Sequence, residues 1–159
     1  MGTQGFMGAA AFICCGAYLL ILIGAAWTDW KTRRIDNVFF LMILALGAAA
    51  VRLFPEHTIL DRGIGFLAVS VPMLVLTVLI PGAFGGGDIK LMAASGWFLG
   101  WRAVVCAMVI ALFGSGVYGG WMLAKGKMGR KDSFALGPFL AAGLAIALFL
   151  GDQVLERYI

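Results

Sequence analysis

Gly85-Gly86-Gly87-Asp88-Ile89-Lys90 sets an ionisable carboxylate behind three consecutive glycines, with strongly apolar chain on both sides. A carboxylate at membrane depth costs about 2.5–3.5 kcal/mol on insertion scales unless it is hydrated or paired. A second acid, Asp29, ends the first apolar stretch, 59 residues earlier. Two carboxylates at matching depth predict an acid/base pair.

Composition fixes the class around that pair. The chain is 62% hydrophobic and 13% charged, with a mean hydropathy of +0.99. A soluble domain carries about 25% charged residues. The reading is an all-α integral membrane protein. Its 159 residues make one transmembrane domain over 1–159. The 23 glycines are roughly twice the usual share of about 7%, and small residues let helix backbones approach closely in membranes.

Met1 to Ala10 contains no Lys or Arg, the apolar run continues to Trp27, and no A-x-A site follows. The first segment is therefore expected to be a retained transmembrane helix rather than a signal peptide. Phe6 stands where a myristoylation pattern needs Ser or Thr.

Six apolar segments follow one another: Gly8–Trp27, Asn37–Phe54, Gly63–Ile80, Ile89–Gly100, Trp101–Ala124 and Phe134–Leu150. A crossing takes roughly 20 residues, so the fourth segment is short. It starts deeper in the membrane, uses part of the glycine loop, or runs on towards Trp101. Lys31, Arg33, Arg34, Lys90, Lys125, Lys127, Arg130 and Lys131 fall on one side, eight of the twelve basic residues. Arg52, Arg62, Arg102 and Arg157 fall on the other. The positive-inside rule puts the first set in the cytoplasm. Both termini then lie outside, and Asp29 and Asp88 share the cytoplasmic side of the cell's inner membrane. Basic residues there suit anionic lipid headgroups, at about 1 kcal/mol each. No aromatic-basic platform accompanies them, so no nucleic-acid partner is expected.

Gly85, Gly86 and Gly87 permit close backbone approach to Asp88; with Lys90 they form the loop an extended substrate would approach. The plainer reading is a flexible loop with an N-cap aspartate. A phosphate loop is not supported, because G-x-x-x-x-G-K-[ST] is absent. Two aspartates hydrolyse peptides without a metal: one carboxylate takes a proton from water and the other gives one to the carbonyl oxygen. Two acids sharing one proton titrate as a pair. If Asp88 caps the fourth helix, its dipole favours the charged form and makes Asp88 the candidate base.

The other acids fit less well. Glu56, Asp61, Asp152 and Glu156 lie on the outer side; Asp36 and Asp132 sit among polar or basic residues, and Asp36 before Asn37 reads as a helix start. The single His57 is expected to be solvated, which leaves no His-based site. Cys14, Cys15 and Cys106 lack the C-x-x-C spacing of zinc sites, so no metal and no cofactor are expected. Trp27, Trp30, Trp97 and Trp101 read as interface anchors. Gly96-x-x-x-Gly100 and Gly116-x-x-x-Gly120 predict tight packing by segments four and five.

These residues resemble the type IV prepilin peptidases, membrane aspartyl proteases of the GxGD class (peptidase family A24). Gly85 to Gly96 is similar to the family's second catalytic block, and Asp29-Trp30-Lys31-Thr32-Arg33-Arg34-Ile35-Asp36-Asn37 to its first. Gly137-Pro138-Phe139-Leu140 is similar to its last block. Asp36 stands in place of the usual Pro, and Ala135-Leu136 in place of Pro-Phe. The longer bacterial members carry a cysteine-rich insert linked to zinc and N-methylation. The sequence shows no such insert, so the likeness is to short peptidases of tight-adherence (Flp) pili or to archaeal preflagellin peptidases, and methyltransferase activity is not expected.

The resemblance implies catalysis by Asp29 and Asp88 on a prepilin with a short basic leader, cut at the cytoplasmic membrane face. A basic leader gains nothing from the basic loops; shared lipid headgroups, or Lys90 meeting an acid of the pilin, are two ways to reconcile them. Two other readings stay open. A small proton-coupled transporter would use the same two acids as a relay. A structural membrane subunit would tolerate Asp→Asn at both.

Overall fold

Each apolar stretch is helical in the computed structural model, which describes residues 2–54, 57–126 and 135–156, with side chains for 9–54, 57–126 and 135–149. The helices are α1 (Gly2–Thr32), α2 (Asn37–Leu53), α3 (Ile59–Ala68), α4 (Ser70–Leu79), α5 (Gly86–Leu99), α6 (Trp101–Ala124) and α7 (Gly137–Glu156). No strand occurs among the described residues. The start of the sixth apolar segment at Phe134, and the readings of Glu56, Lys127, Arg130, Lys131, Asp132 and Arg157, lie outside them.

The third apolar segment is one rod with a break. Pro72 has no N–H and its ring displaces the carbonyl four residues back, which is Ala68, the last residue of α3. The Ser70 hydroxyl donates to the Phe66 carbonyl at the break. Together α3 and α4 span Ile59–Leu79, and they, α1 and α6 are long and apolar enough to cross a membrane.

The short fourth segment is a helix of its own. It begins within the glycine loop at Gly86 and stops at Gly100, whose φ of +86° is a backbone conformation that favours glycine. Its 14 residues give roughly 21 Å, less than the ~30 Å of bilayer hydrocarbon. The shortfall is tolerable because α5 is the centre of the bundle, in contact with α2, α3, α4, α6 and α7. A helix apolar all round is a buried helix. The stretch from Leu91 to Gly96 is buried without interruption.

Glycines set two of its contacts. Gly65 on α3 and Gly96 on α5 meet backbone to backbone: a Cβ on either would run into the other's carbonyl oxygen. Gly47 on α2 leaves room for the Trp97 ring. Trp97 is thus half-buried packing, a correction to its reading as an interface anchor; Trp27 and Trp30 are exposed. Gly116 and Gly120 meet nothing within 4 Å, so the close packing expected on α6 from that pair is absent among the described residues.

The burial pattern is inside out for a water-soluble protein. Phe12, Val78 and Phe113 are more than 70% exposed, while Arg62 is fully buried and Asp29, Asp88 and Ser95 are under a tenth exposed. Apolar side chains face outward, and these polar ones are kept inside, the pattern of a chain whose solvent is lipid. The chain is a multi-pass membrane protein.

Arg62 was read as an outer-side loop charge; it is instead wholly enclosed. Its Nη1 donates to the carbonyls of Trp97 (3.2 Å) and Phe98 (3.0 Å), and its Nη2 to those of Ala50 (3.2 Å) and Phe54 (3.1 Å). These carbonyls lie at the ends of α5 and α2, where main-chain donors run out and the dipole favours a cation; Ala50 O also accepts the Phe54 N–H and Phe54 O the His57 N–H.

Candidate active site

At the other end of the bundle α1 finishes and α2, α5 and α7 begin. The first motif follows from how α1 stops. Arg33 takes φ 54° and donates its N–H to the Asp29 carbonyl at 2.8 Å. A left-handed residue just past a helix end closes its last turn, at roughly 1–2 kcal/mol for a non-glycine. The Thr32 hydroxyl donates to the carbonyls of Thr28 and Arg34, holding the turn. The chain reverses through Ile35 and Asp36, and α2 starts at Asn37.

Asp29, on the last turns of α1, is 5% exposed. Its Oδ2 accepts the backbone N–H of Gly137 at 2.8 Å. Asp88, in the first turn of α5, is 8% exposed. Its Oδ2 accepts the Gly85 N–H at 3.2 Å, half of a capping box, since glycine has no side chain to return the bond. Its Oδ1 is buried without a hydrogen-bond partner among the described residues. Both acids line one cavity of about 280 Å³, with 33–37 and 85–87 as the rest of its wall. Each carboxylate lies at a helix N-terminus, so the dipole argument that favoured Asp88 as base applies to Asp29 as well.

The glycine loop divides its work. Gly85 is the N-cap, with φ −73° and ψ 143°. A Cβ on Gly87 would meet the Ile35 Cβ at 2.8 Å and its carbonyl oxygen at 2.9 Å, so the close approach at Gly87 is taken by the first motif. Gly86 meets nothing within 4 Å and faces open space. None of the three has a positive φ. Lys90 is exposed and donates to Asn37 Oδ1 at 2.8 Å. Asp36 holds the N-cap position of α2 as expected but makes no side-chain capping bond, and it lines the cavity instead.

The remaining candidates fall away from this end. His57 is not fully solvated: its Nδ1 lies 3.3 Å from Asp61 Oδ2, beside the α5–α6 turn. No three His, Cys, Asp or Glu side chains among the described residues are grouped to hold a metal. Gly137 and Arg62 are the residues whose parts went unread. Gly-Pro at a helix start is a legible signal, but the 108-residue separation from Asp29 is not.

A membrane bundle with two buried aspartates on one cavity at helix ends is the class these features define. The chain belongs to the type IV leader peptidase family, whose model matches residues 16–120. It is 28% identical over 142 residues to a prepilin leader peptidase/N-methyltransferase of Bacillus subtilis (strain 168), covering 89% of this chain and 57% of that protein. Proteins of the same name from Legionella pneumophila and Stutzerimonas stutzeri are 35% and 32% identical, over 87% and 91% of this chain and 50% and 53% of theirs. The chain thus spans about half the length of these relatives. No solved structure matches it. Family membership does not favour the transporter reading.

Proposed function

We propose that the protein is an aspartyl endopeptidase that removes the leader peptide of type IV prepilins, or of related pilin-like or preflagellin precursors, at the cytoplasmic face of the inner membrane. The observation that carries this is the shared cavity of Asp29 and Asp88, two buried acids in a member of a leader peptidase family. One carboxylate takes a proton from water as the water oxygen bonds the scissile carbonyl carbon. The other gives its proton to the carbonyl oxygen. On collapse the C–N bond breaks, the amine nitrogen takes a proton from the acid that received it from water, and a hydroxyl of the diol returns a proton to the other carboxylate. Neither step needs a metal.

The position of the cavity suits such a substrate. A peptide bond inside a helix has its carbonyl engaged, so the cleaved bond must leave the helix first. At a bundle end the substrate's apolar helix stays in lipid while its leader unwinds into the cavity. Open space at Gly86 is where that extended backbone would pass.

Co-expression with candidate prepilins tests the reading. The native protein should give a leader-sized shift of the pilin on gels. Asp29→Asn and Asp88→Asn should insert normally and give none, because the amide is nearly isosteric and cannot exchange the proton. Asp36→Asn should retain most cleavage. Substantial cleavage by either of the first two variants overturns the dyad.

A further inference from the structure

Each of the two carboxylates has one oxygen tied to a backbone N–H at a helix start: Asp29 Oδ2 to Gly137, the first residue of α7, and Asp88 Oδ2 to Gly85, the N-cap of α5. Gly137 lies beyond the stretch the family model matches. It is buried, and a Cβ there would come within 2.6 Å of Asp29 Oδ2 and 2.8 Å of its Cβ and Cγ. No side chain fits at 137 without moving the acid. The first N–H groups of a helix find no acceptor within it, so α7 offers Asp29 a donor whose direction is fixed by the helix.

We infer that Gly137 is a positioning residue for Asp29, acting with Gly85 at Asp88, and that the two Oδ1 atoms are the oxygens that exchange protons with water and substrate. This rests on the aspartyl peptidase reading. A protonated oxygen keeps one lone pair but is a poorer acceptor than an ionised one, so an N–H donated to each Oδ2 favours the shared proton on an Oδ1. Asp88 Oδ1 supports this directly: it is buried, lines the cavity through its residue, and has no partner among the described residues. Water or a substrate carbonyl supplies that partner. The two helix starts thus hold the carboxylates in fixed rotation, and a small misplacement there is costly to catalysis.

Steady-state cleavage of a prepilin by purified full-length enzyme in liposomes tests this, read with melting curves. Gly137→Ala should lower kcat by roughly 100-fold, the scale of an ångström-level misplacement, with KM within about twofold, since ground-state binding is retained. Gly143→Ala, on the same helix, would run into the Ala107 carbonyl of α6; it should lower the melting temperature while the folded fraction turns over normally. At Gly85, φ −73° accepts both Ala and Pro, but only Ala keeps the N–H. Gly85→Pro should therefore have a kcat at least about tenfold below Gly85→Ala at similar KM. A wild-type kcat in Gly137→Ala, or a loss that only tracks its unfolded fraction, overturns the inference. If Gly137→Ala does not fold, equal kcat in the two Gly85 variants overturns it. Asp29→Asn separates the two levels: cleavage by that variant removes the peptidase reading itself, whereas an inactive Asp29→Asn beside a normal Gly137→Ala removes only the positioning role.

Discussion

Lys90 Nζ donates to Asn37 Oδ1 at 2.8 Å, a bond between residues 53 positions apart that joins the second motif to the first. The same two segments touch where Gly87 meets Ile35. Lys90 thus has a partner within the chain, which gives the sequence-based placement of Lys90 in the substrate loop a second meaning. The bond is exposed, and its net worth is about 0.5–1.5 kcal/mol. Lys90→Met and Asn37→Leu should each cost no more than that in thermal stability, and the double variant should cost less than their sum. Cleavage should fall less than about tenfold, short of a catalytic loss. A Lys90→Met enzyme as inactive as Asp88→Asn would place Lys90 in the chemistry.

Gly86 and Gly87 separate substrate approach from packing. Gly87→Ala drives a methyl into Ile35, including its backbone, so it should lower melting temperature and cleavage together. A methyl at Gly86 meets nothing in the free enzyme. Gly86→Ala should therefore leave the melting curve in place and lower kcat/KM, if extended substrate passes there. Melting curves and cleavage rates on both variants decide the point. Wild-type kcat/KM in Gly86→Ala would make the loop a connector only.

Helix packing gives a sharper contrast. At Gly65 and Gly96 the backbones of α3 and α5 touch. Gly96→Ala should destabilise by about 1–3 kcal/mol, the scale of overpacking in a tight core. Gly116→Ala should be neutral or slightly stabilising, because its site is open and alanine is the better helix former. Unfolding in mixed micelles measures both. Equal losses would mean that α6 is packed against something outside the described residues.

Much of this molecule was legible because a membrane chain writes its helices as apolar runs and its special residues as exceptions. Asp29 and Asp88 stood out for that reason, and the cavity brings both together. What the sequence did not carry was which neighbour each exception meets. Gly96 and Gly116 sit in the same spacing pattern, yet only Gly96 faces another backbone. Arg62 looked like a loop charge because the acceptors described for it are main-chain carbonyls, which have no signature in sequence. Gly137 was visible as part of a motif, but its partner lies on a helix at the far end of the chain.

Charge supports the proposed orientation. Lys31, Arg33, Arg34, Lys90 and Lys125 are exposed at the end that holds the two aspartates; at the opposite end Arg52 and Arg102 are exposed, and Arg62 is enclosed. With Arg62 removed from the outer count, the positive-inside imbalance grows. In a background lacking Cys14, Cys15 and Cys106, a membrane-impermeant maleimide added to intact cells made permeable only at the outer membrane should label Arg102→Cys and spare Arg34→Cys. The reverse pattern would put the cavity outside.

Arg62 gives the final prediction. Its guanidinium spans the C-terminal carbonyls of α2 and α5, fixing at one end of the bundle the same two helices whose starts carry Asn37 and Asp88 at the other. Arg62→Met fills similar space but removes the guanidinium donors from these carbonyls, of which Ala50 O and Phe54 O keep a backbone N–H. Charge-assisted hydrogen bonds are worth about 1.5–3 kcal/mol each, so the loss should be about 3 kcal/mol or more even after local relaxation. Arg62→Lys should recover only part, because one ammonium cannot reproduce the fork that bridges both helix ends. The damage should appear first in stability: melting temperature and micelle unfolding should shift strongly, while the fraction that remains folded cleaves with near-normal kcat, since the acids lie at the opposite end. A normal melting curve for Arg62→Met would mean that other donors end these helices equally well. A normal melt combined with lost cleavage would instead tie Arg62 to the chemistry across the full length of α5.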